Sequence, residues 1–380
     1  MRTAPAPARL RRVALALASL AFALGVAELC ARAFAPSWLR ARMREVAVGR
    51  ALARWGSDDE WPLERDAGRP IRFVPGSRFT VRHDEYVHTA RIDEFGGRAS
   101  GHSASDPRPI VPVFGDSMTF GIGVRDEETF VSLVDRSLPV HLVNLGMPGS
   151  ELLDQLESLE RLHRALQSPP ACVFVVFLGN DLTDIASTGA AVAREDIVEA
   201  APLSSWLFAV NRALDEHSML RRWYAVQWAR AVSVRLVNAS RQTPQVDRAF
   251  ALMDRAAPLD RIRAAFEHAT DRLASAAVRL RFTPLVVIAP DRLQVDERLR
   301  RDKAALYGVS VTSYDPRLAN RIVTEALSAR GIAFIDATPC LEGRGSQYYV
   351  RDTHFTAAGQ ATMASCVGPF LGERLPRALR

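Results

Sequence analysis

A layered α/β fold, with helices covering both faces of a parallel sheet, is the class this sequence predicts, and three observations predict it. From Ile110 onward, short apolar segments alternate with segments of helical spacing. One segment, "ACVFVVFLG" at 171–179, is apolar without a break, as a strand buried on both faces requires. The residues best suited to chemistry stand directly after the apolar segments, where open α/β sheets bind their ligands. The expected architecture is a flavodoxin-like three-layer α/β/α sandwich on a parallel sheet, with an N-terminal transmembrane anchor and a helical insertion.

The anchor comes first, over residues 1–36. Arg9, Arg11 and Arg12 precede an uncharged apolar run from Val13 to Ala27, followed by Glu28, Leu29 and Cys30. A basic flank ahead of an apolar core is an export signal or a signal anchor. Pro36 directly follows Ala33-Phe34-Ala35 and hinders cleavage there, and the glutamate of "AELC" spoils a lipoprotein box. The expectation is an uncleaved anchor that crosses the inner membrane once, with the body on the periplasmic side. Extension through Phe34 reaches spanning length. Arg40, Arg42 and Arg44 on the far side make the positive-inside signal weaker than usual, although long domains translocate largely regardless of charge.

Residues 37–71 form a juxtamembrane linker, and 72–375 form the globular domain. Residues 72–92 alternate with period two and predict a hairpin, and "SGHSASDPRP" at 100–109 is a loop by composition. Strands are then expected at "IVPVF" (110–114), "VHLVNLG" (140–146), 171–179, "PLVVIAP" (284–290) and "IAFID" (332–336). Helices are expected at 126–138, at 150–166 with Ser150 as cap, at 259–280, near 316–329 and after Thr356. A helical insertion over 185–255, carrying Trp206, Trp223 and Trp228, interrupts the alternation as packing, lid or docking surface.

Composition excludes several classes. With 48% hydrophobic and 24% charged residues, the 380-residue chain is globular. Its net charge of +6 is almost all arginine, with Lys303 the single lysine; much of the excess precedes residue 55 and the rest is interleaved with acids. Nucleic acid is therefore discounted as a partner. Cys30, Cys172, Cys340 and Cys366 have no CxxC and no ligand spacing, so no metal is expected. Cys172 belongs to an apolar run and reads as core, whereas Cys340 and Cys366 could pair in an oxidising compartment.

"VFGDSMTFGIG" at 113–123 breaks an apolar run into Gly-Asp-Ser, either as a plain loop or as a tight turn that presents a hydroxyl. Other strand ends supply what a serine would need. Ser117 would be the nucleophile, His354 of "DTH" the general base and Asp352 its orienting acid. The N–H groups of Ser117 and Gly149 and the amide of Asn180 would form an oxyanion hole. Asp116 and Asp181 would hold the serine turn and the asparagine by bonding to backbone, and Asp184 could do likewise. Each has an ordinary alternative: Gly149 permits a tight turn, Asn180 could be a satisfied loop amide, and Asp352 could cap the last helix. His354 is one of eight histidines; an aspartate two positions before it and the helix start "FTAAG" after it favour the catalytic role. No cofactor is needed for such chemistry.

These blocks resemble the SGNH (GDSL) hydrolase family. "GDSMTFG" (115–121) looks like its first block, "NLGMPG" (144–149) its second, "GND" (179–181) its third and "DTHFTAAG" (352–359) its last, and the resemblance covers roughly 72–370. It implies Ser117, Gly149, Asn180, His354 and Asp352 in the same roles. Many members place two residues between acid and histidine, whereas only Thr353 intervenes here. One-residue spacing is similar to the polysaccharide O-acetyltransferase branch, often membrane-anchored and facing the periplasm. The resemblance thus implies a serine esterase or acyltransferase that acts on ester substrates, specifically O-acetyl groups of a cell-envelope glycan. The alternatives are a non-catalytic, membrane-anchored glycan-binding or assembly protein, and a lipid-directed lipase.

Overall fold

The computed structural model describes residues 8–40, 43, 61–66, 69–83, 85–100, 106–188, 222–239, 246–344 and 346–379. They fall into two compact units. The smaller holds helix α1 (Ala8–Ala33), a helix that we call α6 (Tyr224–Ala239) and residues 301–309. Within α1, Leu15–Ala33 is long and apolar enough to cross a membrane, with mean hydropathy 1.7 over 19 residues, and Leu15, Leu17, Leu20 and Phe22 are exposed. A signal sequence passes the same test. In that unit Glu28 accepts the N–H of Ala225 at 3.0 Å, and Trp38 and Leu39 bury against α6 with Trp228 packed beside them. Trp228 is therefore packing, whereas Trp206 and most of the insertion lie outside the described residues.

The larger unit begins with two antiparallel hairpins. β1 (Leu63–Asp66) pairs with β2 (Arg69–Phe73), and β3 (Arg78–His83) pairs with β4 (Tyr86–Arg91). The first hairpin begins in the range expected to be linker and runs past its end at residue 71. Alternation places Phe79, Val81 and Ala90 on an inner face, where they bury with Phe73, Phe120, Ile122 and Met147. That cluster seats both hairpins against the segment carrying Ser117.

The sheet behind them is parallel: β5 (Ile110–Gly115), β6 (His141–Gly146), β7 (Ala171–Phe177), β8 (Thr283–Ala289) and β9 (Ala333–Asp336). Their spatial order is β6-β5-β7-β8-β9. The chain leaves β5 for one side, then crosses to the other for β7, so the topological switch point lies at the carboxyl end of β5. Phe114, Cys172, Phe174, Val176, Val286 and Ile288 face α4 (Leu152–Leu162), α5 (Asp181–Thr188), α7 (Asp260–Leu280) and α8 (Leu318–Ala329). The alternate residues Val111, Val113, Val173, Val175 and Val287 face α3 (Phe130–Asp135) and α9 (Ala357–Arg374). Both faces are thus covered, which is why these strands are apolar throughout and why the fold is a three-layer α/β/α sandwich. Cys172 is fully buried in it, and a disulfide joins Cys340 to Cys366 on α9.

Candidate active site

Ser117 stands at the switch point. β5 ends at Gly115, Asp116 caps the four-residue helix α2 (Ser117–Phe120), and its carboxylate accepts the Met118 N–H at 2.9 Å. A Cβ on residue 115 would come 2.0 Å from Thr119 Oγ1, so only glycine allows the chain to turn back so tightly. Arg98, fully buried, braces the far side of the turn. Its guanidinium reaches Asp126 Oδ1 at 2.9 Å and the carbonyls of Phe120 and Gly121 at 3.0 and 2.5 Å.

His354 arrives from the loop before α9. Thr356 caps that helix through the Gly359 N–H, so Asp352 is not its cap. Instead Asp352 Oδ1 lies 2.7 Å from His354 Nδ1, and His354 Nε2 lies 2.8 Å from Ser117 Oγ. A proton on Nδ1 facing the carboxylate leaves the Nε2 lone pair for the serine hydroxyl. The three side chains therefore form one hydrogen-bonded line joining β5 to a loop 237 residues away. Burial pulls the Asp352 carboxyl upward, but hydrogen bonds from His354 and Tyr86 outweigh it and hold the group below the usual carboxylate range.

Gly149 and Asn180 follow β6 and β7, at the same sheet edge. Gly149 sits at φ +81°, a conformation glycine adopts without strain. Ser150 does not cap α4. Its hydroxyl donates to the Gly115 carbonyl at 2.9 Å, tying the loop to the serine turn, and Glu151 takes the cap by accepting the Leu153 N–H at 2.6 Å. Asn180 gives one amide hydrogen to Asp184 at 2.7 Å, and Arg248 steadies Asp184 from outside at 3.1 Å. An amide nitrogen carries a second hydrogen, and no further bond from it is found among the described residues. Asp181 accepts the Phe177 N–H at 2.9 Å and is fully buried. Burial pushes the Asp116 carboxyl up to about 6 and Glu151 up to about 7. Asp181 is raised as well, first by burial and then by the nearby Asp116.

Two residues were not expected from sequence. The Tyr86 hydroxyl donates to Asp352 Oδ2, and Glu85 accepts the backbone N–H groups of Val350, Arg351 and Asp352 at 2.8, 2.9 and 2.9 Å. The hairpin was legible, but 266 residues separate Tyr86 from its partner, and no local pattern marks the pair.

With this geometry established, the sequence profile of the GDSL-like lipase/acylhydrolase family matches residues 113–362, from β5 into α9. The chain belongs to that family. As a GDSL-family hydrolase it acts on esters. No protein of curated function matches it. Solved structures align over about 70% of this chain at low identity. TesA is 14% identical, with TM-score 0.38 over 70% of this chain and 98% of its own. LAE5, an α/β hydrolase from the metagenome of Lake Arreo, Spain, is 11% identical, with TM-score 0.37 over 70% and 95%. An acetylxylan esterase from Geobacillus stearothermophilus, Axe2, is 11% identical, with TM-score 0.36 over 70% and 94%.

Proposed function

We propose that this GDSL-family hydrolase is a membrane-anchored serine esterase that removes or transfers small acyl groups, specifically O-acetyl groups on a cell-envelope polysaccharide. One observation carries the catalytic part: the unbroken line Ser117 Oγ, His354, Asp352 with contacts of 2.8 and 2.7 Å. Ser117 Oγ attacks the ester carbonyl while His354 Nε2 takes its proton, and Asp352 stabilises the imidazolium that forms. The N–H groups of Ser117 and Gly149 and the side-chain amide of Asn180 receive the oxyanion. The imidazolium then protonates the leaving alkoxide. Water or a sugar hydroxyl, deprotonated by the same nitrogen, attacks the acyl carbonyl, and the acyl–Oγ bond breaks as the imidazolium returns that proton to Ser117 Oγ. Asp116, Asp181 and Asp184 hold the donors in place.

Two features support action outside the cytoplasm. The Cys340–Cys366 disulfide suits an oxidising compartment, and the apolar helix ahead of the domain suits attachment to the membrane it was exported across. The glycan substrate rests on the one-residue spacing of Asp352 and His354. The test is acetate release from p-nitrophenyl acetate and from an O-acetylated polysaccharide by the full chain in detergent. Replacing Ser117→Ala should abolish both activities and fluorophosphonate labelling, and equal rates in the two proteins would end the catalytic reading.

A further inference from the structure

The β3–β4 hairpin precedes the sheet and lies outside the span matched by the family profile, yet its tip meets the acid limb of the serine–histidine–aspartate line. Glu85 binds three consecutive peptide N–H groups, those of residues 350–352, with one carboxylate. A charged acceptor that gathers three backbone donors fixes a short loop far better than packing does, because each bond is directional and charge-assisted. Tyr86 is the first inward residue of β4, buries most of its ring and places its hydroxyl on Asp352 Oδ2. His83 stacks on that ring at 4.9 Å and Tyr349 crosses it at 4.8 Å, so the phenol has little freedom to leave.

We infer that Glu85 and Tyr86 are positioning residues of the active site: Glu85 pins the 350–352 backbone, and the Tyr86 hydroxyl orients the Asp352 carboxylate toward His354. The inference rests on the reading of Ser117, His354 and Asp352 as the catalytic line. Asp352 has two oxygens and two side-chain partners, one on each. A carboxylate held at one oxygen rotates about its χ2 bond, whereas one held at both cannot. Tyr86 also withdraws negative charge from the group that faces the imidazole. The titratable groups around this carboxylate and its imidazole are His354 on its own loop, Tyr86, His83 and Glu85 on the hairpin with Tyr349 beside them, and Asp116 of the serine turn, which faces His354 and is present in every variant compared below. His88, the next inward residue of β4, is buried with neither ring nitrogen bonded among the described residues, and burial pushes it down to about 3. It therefore stays neutral and adds no competing charge.

The experiment compares Tyr86→Phe, Glu85→Gln and Glu85→Ala with wild type and Ser117→Ala, all as full chains in detergent with p-nitrophenyl acetate. Tyr86→Phe should lower kcat about 10-fold, the value of a lost bond to a charged group, with KM little changed. Its kcat/KM acid limb should move to higher pH, because an unshared carboxylate charge favours the protonated imidazole. Glu85→Ala should lose more activity than Glu85→Gln, since glutamine keeps the oxygen that serves Arg351 and Asp352. If Ser117→Ala is inactive while Tyr86→Phe keeps the wild-type kcat and pH profile, positioning is overturned and the catalytic reading stands. A fall in kcat with an unmoved acid limb would mean a merely structural tyrosine and would also overturn it. If Ser117→Ala keeps full activity, the catalytic line itself falls and the inference falls with it.

Discussion

Removing the charge of Asp352 while keeping its shape isolates what the acid contributes. In Asp352→Asn the side chain faces two partners, His354 Nδ1 and the Tyr86 hydroxyl. A phenol accepts as well as donates, so asparagine can keep its oxygen on the Nδ1–H and turn its amide hydrogens to Tyr86. The imidazole tautomer and the 2.8 Å contact to Ser117 then survive. What disappears is the attraction between a carboxylate and the imidazolium that the proposed attack would form. With charge centres roughly 4 Å apart and an effective dielectric constant near 20, that attraction is about 4 kcal/mol. It corresponds to about a 10³-fold loss in kcat/KM. The assay is steady-state hydrolysis of p-nitrophenyl acetate across neutral pH, with folding checked by thermal unfolding. A loss below about 10-fold would refute the reasoning, because it would mean that no charged acid assists the base.

Glu151 gives a pH test of stability. Burial raises its carboxyl to about 7, so its contribution is intact while protonated and is lost as pH rises from the unfolded value through about 7. Glu151→Gln should therefore stabilise the protein by up to about 3 kcal/mol at alkaline pH and little in mild acid; equal thermal shifts at both pH values would contradict the buried-carboxyl account. Replacing Cys340 and Cys366 together with serine opens a loop spanning 26 positions and should cost about 3–4 kcal/mol in chemical denaturation, an effect that a reductant should reproduce in the wild type. An unchanged midpoint would show that the bridge is not formed.

The covered strands were legible because burial on both faces leaves a compositional mark: 171–177 is apolar at every position, and every position is buried. The serine turn was legible for a similar reason, since Gly115 and the Asp116 cap are demands of the local backbone. Ser150 shows where local reasoning stops. Its position before a helix suits a cap, but the neighbouring Gly115 carbonyl, supplied by another strand, takes its hydroxyl and leaves the cap to Glu151. The insertion is legible as a break in the strand–helix alternation, and of its tryptophans Trp228 packs against Leu39 and Trp38 in the smaller unit.

What is periodic or local could be read along the chain: strand and helix order, the turns at the strand ends, and the residue types that could carry acyl chemistry. Which of those residues meet depends on how distant segments pack. The Ser117–His354 contact spans 237 positions and follows from packing of α9 and Phe355 against Met118 and Phe130, whereas the Tyr86–Asp352 contact spans 266 and follows from hairpin packing around Phe120. Such contacts leave no trace in spacing, because the free energy that forms them comes from burying surfaces elsewhere in the chain.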